Sequence, residues 1–223
     1  MTVTGISSYS TDQIASLSTT DLQSISATDF SGLVSSQLAA LSTRQVGSLT
    51  SPQVSALTVS QILDFTAAQF YALATQQVAS ISTTDVSALT SKQLSQITAS
   101  EIAQLTATQL AALSSSQISL LSATQVRGLR ESQIAVLSTT QIGGLTATQL
   151  GVLGQSVEVL STAQIAALLT TQLAGLTSTE LGTFNSSQFS ALSATQLVAL
   201  STAQLRGLNS TDVGLLSATL LRS

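Results

Sequence analysis

A period of eight residues constrains this chain more than any other feature. From Gln13 to Gln149 one position recurs every eighth residue, and it is Gln except at Asp21, Asp29, Asp85 and Glu101. Three residues before it stands Ser or Thr, with exceptions at Val34, Ala74 and Arg130. The residue after it is always large and apolar, and the residue four after it is Leu, Ile or Phe. The stretch Leu105 to Leu113 shows what such a repeat encodes. Thr106 and Gln109 have the spacing of a capping box, in which the Thr hydroxyl accepts the backbone N–H of Gln109 and the Gln side chain returns to the N–H of Thr106. Leu105 and Leu110 form the matching hydrophobic staple. Leu113 then opens the next copy, because Ser114 and Gln117 repeat the box.

Three local structures are compatible in principle with this period. A continuous α-helix turns about 100° per residue, so eight residues overshoot two turns by roughly 80° and the apolar pair spirals away from any one face. A strand places residues three apart on opposite faces, which separates that pair. A short helix keeps them together. Pro52 agrees, since it falls in a first turn, where a missing N–H costs nothing. The pattern predicts an all-α solenoid, a superhelical rod of very short helices with one per repeat. Helices this short are unstable alone and must stack on neighbours. The positions two and three after the box are mostly small (Ala111, Ala112, Gly143, Gly144, Gly175), which is expected to let successive segments approach closely.

The register divides the chain. Residues 1–9 are a lead-in, and residues 10–153 form eighteen regular copies. Residues 154–160 form an irregular copy of seven, GQSVEVL, with neither a good cap nor a box Gln. Residues 161–223 resume with seven regular boxes, from Gln164 to Asp212, as a continuation of the same domain. Leu169 is the poor cap among them, and the final SATLLRS has Leu220 in the box position.

Composition narrows the function. Apolar residues make up 43% of the chain, so a core is affordable, while charged residues are only 7% and the net charge is −4. Neither nucleic acid nor an anionic membrane is an expected partner. Ser, Thr or Gln interrupts every apolar run before it reaches membrane-spanning length. The start, MTVTGISSYSTDQ, lacks the basic and apolar regions of a cleaved secretory signal. His, Cys and Trp are absent, which removes the usual general base, the thiolate nucleophile and nearly every transition-metal site. No catalytic, cofactor-binding or metal-binding residue is expected, and no enzyme.

The remaining chemical candidates each have a plainer structural reading. Lys92 lies beside Ser91 and near Ser95 but reads as a solvated lysine, and Asp21 and Asp29 read as box substitutes before a Ca²⁺ site. Asn185 and Asn209 head glycosylation-type triplets yet occupy cap positions, where Asn is favoured. Phe65, Phe70, Phe184 and Phe189 fill staple positions and read as core. Arg127 and Arg130 make the one basic cluster.

The runs LSTTQIGGLTATQLGVL and LSATQLVALSTAQLRGL resemble the Leu-Ser/Thr-x-x-Gln-Ile/Leu octapeptide arrays of large secreted bacterial surface proteins, described as adhesin-like or haem-utilisation proteins. The resemblance implies a stalk or spacer at the cell surface or outside the cell, with no site residues to carry over. The expected function is therefore a structural extracellular protein that spaces, or that assembles head-to-tail with copies of itself. The alternative is an adhesive module that recognises a peptide, glycan or surface such as the cell surface or matrix. Val3, Ile6 and Tyr9 at one end and Leu220 and Leu221 at the other are the candidate assembly residues, because two unfinished, complementary ends invite an open heterologous contact.

Overall fold

The computed structural model describes residues 5–214. Among them are short α-helices of four to six residues, two 3₁₀ segments at Ile6–Ser8 and Gly154–Val159, and no strand. The all-α solenoid anticipated from the repeat is present. The chain forms two compact units, one ending at Ala112 and one beginning at Leu113, and the following applies to each by itself.

Where the box residue is Gln, each helix starts as the repeat predicts, whereas Asp21, Asp29 and Asp85 accept from the cap hydroxyl and not from the cap N–H. At Ser42 the hydroxyl accepts the N–H of Gln45 (3.3 Å), and the N–H of Ser42 donates to Oε1 of Gln45 (2.8 Å). Where the cap has no hydroxyl, at Val34, Arg130 and Leu169, the return half of the box survives: each of these N–H groups donates to its box Gln Oε1 at 2.7–2.9 Å. One half of the box is thus enough to start a helix. Each helix also ends without a left-handed residue. Leu17 leaves in an extended conformation (φ −62°, ψ 136°), and the cap Ser18 continues it (φ −69°, ψ 158°) into the next helix. Positive φ is confined to Gly5 and Gly154 among the described residues.

The helices pack three apart. In the first unit Thr11–Ser16 lies on Ser35–Ala39, and Thr19–Ser24 lies on Thr43–Gly47, with the same step onward. The two apolar positions of each repeat point inward: Ile14, Leu22, Phe30 and Leu38 are fully buried, and Leu33, Leu41, Leu49 and Leu57 are nearly so.

A second bond from the box residue joins the turns. Gln45 donates through Nε2 to the carbonyls of Ile14 (2.9 Å) and Leu17 (3.0 Å), 31 and 28 residues back. Gln53 does the same to Leu22 and Ile25, Gln69 to Leu38 and Leu41, and Gln204, in the second unit, to Leu173 and Leu176. The rungs therefore step back 28 to 31 residues, while the helix bodies pack three octapeptides apart. The acceptors lie at helix ends: Leu17, Ile25 and Leu41 at or just past the last turn, and Ile14, Leu22 and Leu38, whose carbonyls already accept the N–H three residues on and take the amide as a second donor. Gln45, Gln53 and Gln69 are 4%, 1% and 4% exposed, yet no buried side-chain N or O among the described residues lacks a partner.

The seven-residue copy does not break this register. Gln164 and Gln172 reach across it to carbonyls 30 and 27 residues back, one fewer than elsewhere, and Gln188 returns to a step of 28 at Leu160. Gly154 takes φ +57° and starts a 3₁₀ segment, whose rise of roughly 2.0 Å per residue against 1.5 Å for an α-helix offsets the missing residue. Val157 and Leu160 still fill the two inner positions.

Small residues act where the turns touch. A Cβ on Gly175 would stand 2.1 Å from the carbonyl oxygen of Ala147, and one on Gly144 2.5 Å from that of Ser115. Gly143 meets nothing within 4 Å, so of the adjacent pair only Gly144 permits the close approach. Gly175→Ala is expected to cost about 1–3 kcal/mol by forcing two turns apart, whereas Gly143→Ala, inside a helix with room for a methyl, is expected to stabilise by up to about 1 kcal/mol. Urea unfolding of both variants checks this.

The Gln ladder also changes what Glu does at position 109. By the capping box alone that substitution is mild. In the structure Nε2 of Gln109 donates to the carbonyls of Ala79 (2.9 Å) and Ile81 (2.6 Å), and a carboxylate keeps the cap bond but cannot donate. Gln109→Glu is expected to cost about 1–3 kcal/mol in chemical denaturation, and a wild-type midpoint would refute the rung.

Candidate functional site

Two grooves recur at equivalent places. One lies between Leu17–Thr19 and Ser42–Gln45, the other between Leu160–Thr162 and Asn185–Gln188. In both, the caps of helices three repeats apart stand side by side, with 24 residues from Ser18 to Ser42 and from Ser161 to Asn185. The cap side chains at Ser42 and Asn185 are already committed to the fold. Ser42 donates its hydroxyl to Gln45 Oε1 (2.9 Å) while accepting from the Gln45 N–H, and Asn185 Oδ1 accepts from Ser187 and Gln188, both at 3.0 Å. Arg44 lines the first groove, and the second has no charged lining residue. Neither groove carries an acid–base pair or an activated nucleophile.

The other candidates are dispersed. Lys92 is exposed, and the Ser95 hydroxyl donates to its backbone carbonyl (2.7 Å). Asp21 and Asp29 are half-buried and act as box residues, accepting from the hydroxyls of Ser18 (2.6 Å) and Ser26 (2.8 Å). Among the described residues no group of three or more acidic, His or Cys side chains is placed to hold a metal. Asn209 caps its helix as Asn185 does, accepting from Thr211 and Asp212. Phe65, Phe70, Phe184 and Phe189 are core, while Arg127 and Arg130 are exposed. Exposed apolar side chains (Val34, Tyr71, Leu120, Leu169, Val198) are distributed over separate repeats. No helix among the described residues is long and apolar enough to cross a membrane.

Of the candidate assembly residues, Val3, Leu220 and Leu221 lie outside the described residues. Ile6 is 1% exposed and packed within its own chain, so its side chain is not presented to a second subunit. It belongs to the first 3₁₀ segment, whose carbonyls serve the ladder: Gln37 donates to Ser7 (3.1 Å) and Tyr9 (2.8 Å), with Ile6 at 3.5 Å. Tyr9 is half-buried. Within the lead-in, carbonyls of residues 6–9 thus take the rung from Gln37 as a helix end does elsewhere.

The group that reading by spacing missed is the Gln amide nitrogen. A capping box is closed equally well by Glu, which the helix dipole favours. Of twenty-five regular boxes only Asp21, Asp29, Asp85, Glu101, Glu180 and Asp212 are acids and the rest are Gln, a bias that signals a needed donor.

The ALTTAQ repeat family matches the chain at residues 22–59 and again at 30–67, two placements offset by eight residues, which is one repeat. This supports a tandem repeat array. No curated protein matches the chain. Because the Asn185 side chain serves its own helix, Asn185→Ala is expected to lower stability by about 0.5–2 kcal/mol, measured by urea unfolding. An unchanged midpoint would show that the carboxamide is free for another role.

Proposed function

We propose that this protein is structural: a repeat scaffold at the cell surface or outside the cell that spaces what it is joined to and associates with copies of itself. One observation carries this reading. The chain's most regular polar side chain, the box Gln, is buried and bonded at both ends to backbone, within its own cap and one turn back. Polar chemistry that a binding or catalytic protein would aim at a ligand is here committed to holding turns together. Association with a second copy is consistent with this, since most turns repeat the same donors and acceptors. The extracellular setting rests on the likeness of the octapeptides to arrays in secreted surface proteins.

A panel of substitutions separates this reading from an adhesive module. Exposed residues (Arg127, Arg130, Tyr71, Val198) and box residues (Gln53, Gln69) are changed one at a time, and each variant is scored for melting temperature, for self-association by light scattering, and for adhesion to cells and matrix. A structural protein is expected to lose function only with box changes, in step with lost stability. Exposed changes that abolish adhesion at wild-type stability would establish the adhesive module instead. A strictly monomeric protein across micromolar concentrations would remove the self-association and leave the spacer.

A further inference from the structure

The Gln rungs are unevenly distributed within the first unit, and this gives it a direction of failure. The six consecutive boxes from Gln37 to Gln77 all donate to the turn before them. Gln53, Gln61 and Gln69 make two such bonds each: to Leu22 and Ile25, to Ser31 and Leu33, and to Leu38 and Leu41. The next three boxes are Asp85, Gln93 and Glu101, and across them a single bond is made, from Gln93 to Ile62 (2.7 Å).

Both acids are buried, Asp85 at 3% and Glu101 at 6% exposure. Glu101 retains the return half of the box, accepting the N–H of Thr98 (2.6 Å). Asp85 is one methylene shorter and accepts from the hydroxyl of Ser82 instead. By the 28- and 31-residue steps of the neighbouring rungs, Asp85 stands over the carbonyls of Val54 and Leu57, and Glu101 over those of Phe70 and Leu73. A carboxylate has no proton to donate to those carbonyls, where an amide would donate. Apolar packing continues across the gap, since Val86, Leu94 and Ile102 are at most 2% exposed. With the single bond of Gln93 it holds the turns where the neighbouring boxes supply a rung each.

We propose that the first unit opens first along this seam, between residues 54–73 and residues 85–101, making it a built-in compliant joint in an otherwise tied stack. Helices of four to six residues have no stability apart from their neighbours, so separation of the two turns releases those on both sides together. The joint is interior to the unit and is set by two residues, which makes it removable by substitution. Gln is the commonest residue at this position of the repeat, so both replacements suit the fold.

Hydrogen exchange of the full-length protein, read by mass spectrometry, tests the joint. Amides of residues 86–102 are expected to exchange faster than those of residues 38–49. In the double variant Asp85→Gln/Glu101→Gln, exchange at 86–102 is expected to slow about tenfold or more, the factor that corresponds to about 1.4 kcal/mol, with residues 38–49 altered less than about twofold. Gln69→Glu is expected to act in reverse, speeding exchange at 62–73. Equal protection of the two segments in the wild type overturns the proposal. So does a double variant whose exchange at 86–102 is unchanged, or is slowed equally everywhere.

Discussion

The primary amide of one glutamine per repeat holds this architecture together. Helices of four to six residues leave most of their backbone donors and acceptors without intrahelical partners. A side chain that both accepts and donates can serve two sets of them at once. In Gln53 the oxygen takes the N–H of Thr50 at its own helix start, and the nitrogen feeds the carbonyls of Leu22 and Ile25 at a helix end one turn away. Neither Glu nor Asn does both, the first lacking the donor and the second the reach. The apolar seam forms within this constraint, because the bonds fix the distance over which Leu and Ile side chains interleave.

The same bond explains what the fold tolerates. A cap without a hydroxyl, such as Val34 or Leu169, forfeits one half of its box and keeps the amide. A repeat one residue short is accepted because its 3₁₀ segment brings the carbonyls of Ile134 and Leu137 within reach of Gln164. A box that becomes an acid keeps its helix start while its hold on the preceding turn is lost. Helix formation and turn-to-turn adhesion are thus separable properties of a single side chain.

Much of this is legible in eight letters. Helix starts, the two inward positions, the need for small residues after the box and the placement of Pro52 all follow from local spacing, because their partners lie within one repeat. What lies beyond one repeat is harder to read. The partners of the Gln amide are 28 and 31 residues away, and a period of eight does not encode the pitch that brings them there. Gly143 and Gly144 look alike in sequence and differ only in which one meets Ser115. Ile6 belongs to no regular repeat, and its burial beside carbonyls that serve Gln37 is not readable from the period of eight. The clue that was available is the preference for Gln over Glu at a position where capping alone would welcome either. As for a functional site, the grooves repeat with the lattice of caps, and local reading rightly finds capping residues there.

Helix bodies step back three repeats and the rungs nearly four, so each helix is joined to two in the turn before it. Thr43–Gly47 packs its body against Thr19–Ser24 while its Gln45 holds the end of Thr11–Ser16. Masons lay bricks this way, each course offset by half a length, because a wall with aligned joints splits along them. In a running bond a crack must turn at every course, and a single weak brick is carried by the two beneath it. An acid in one box, such as Asp85 or Glu101, likewise removes a rung and leaves the buried packing of Val86 and Ile102 beside it in place.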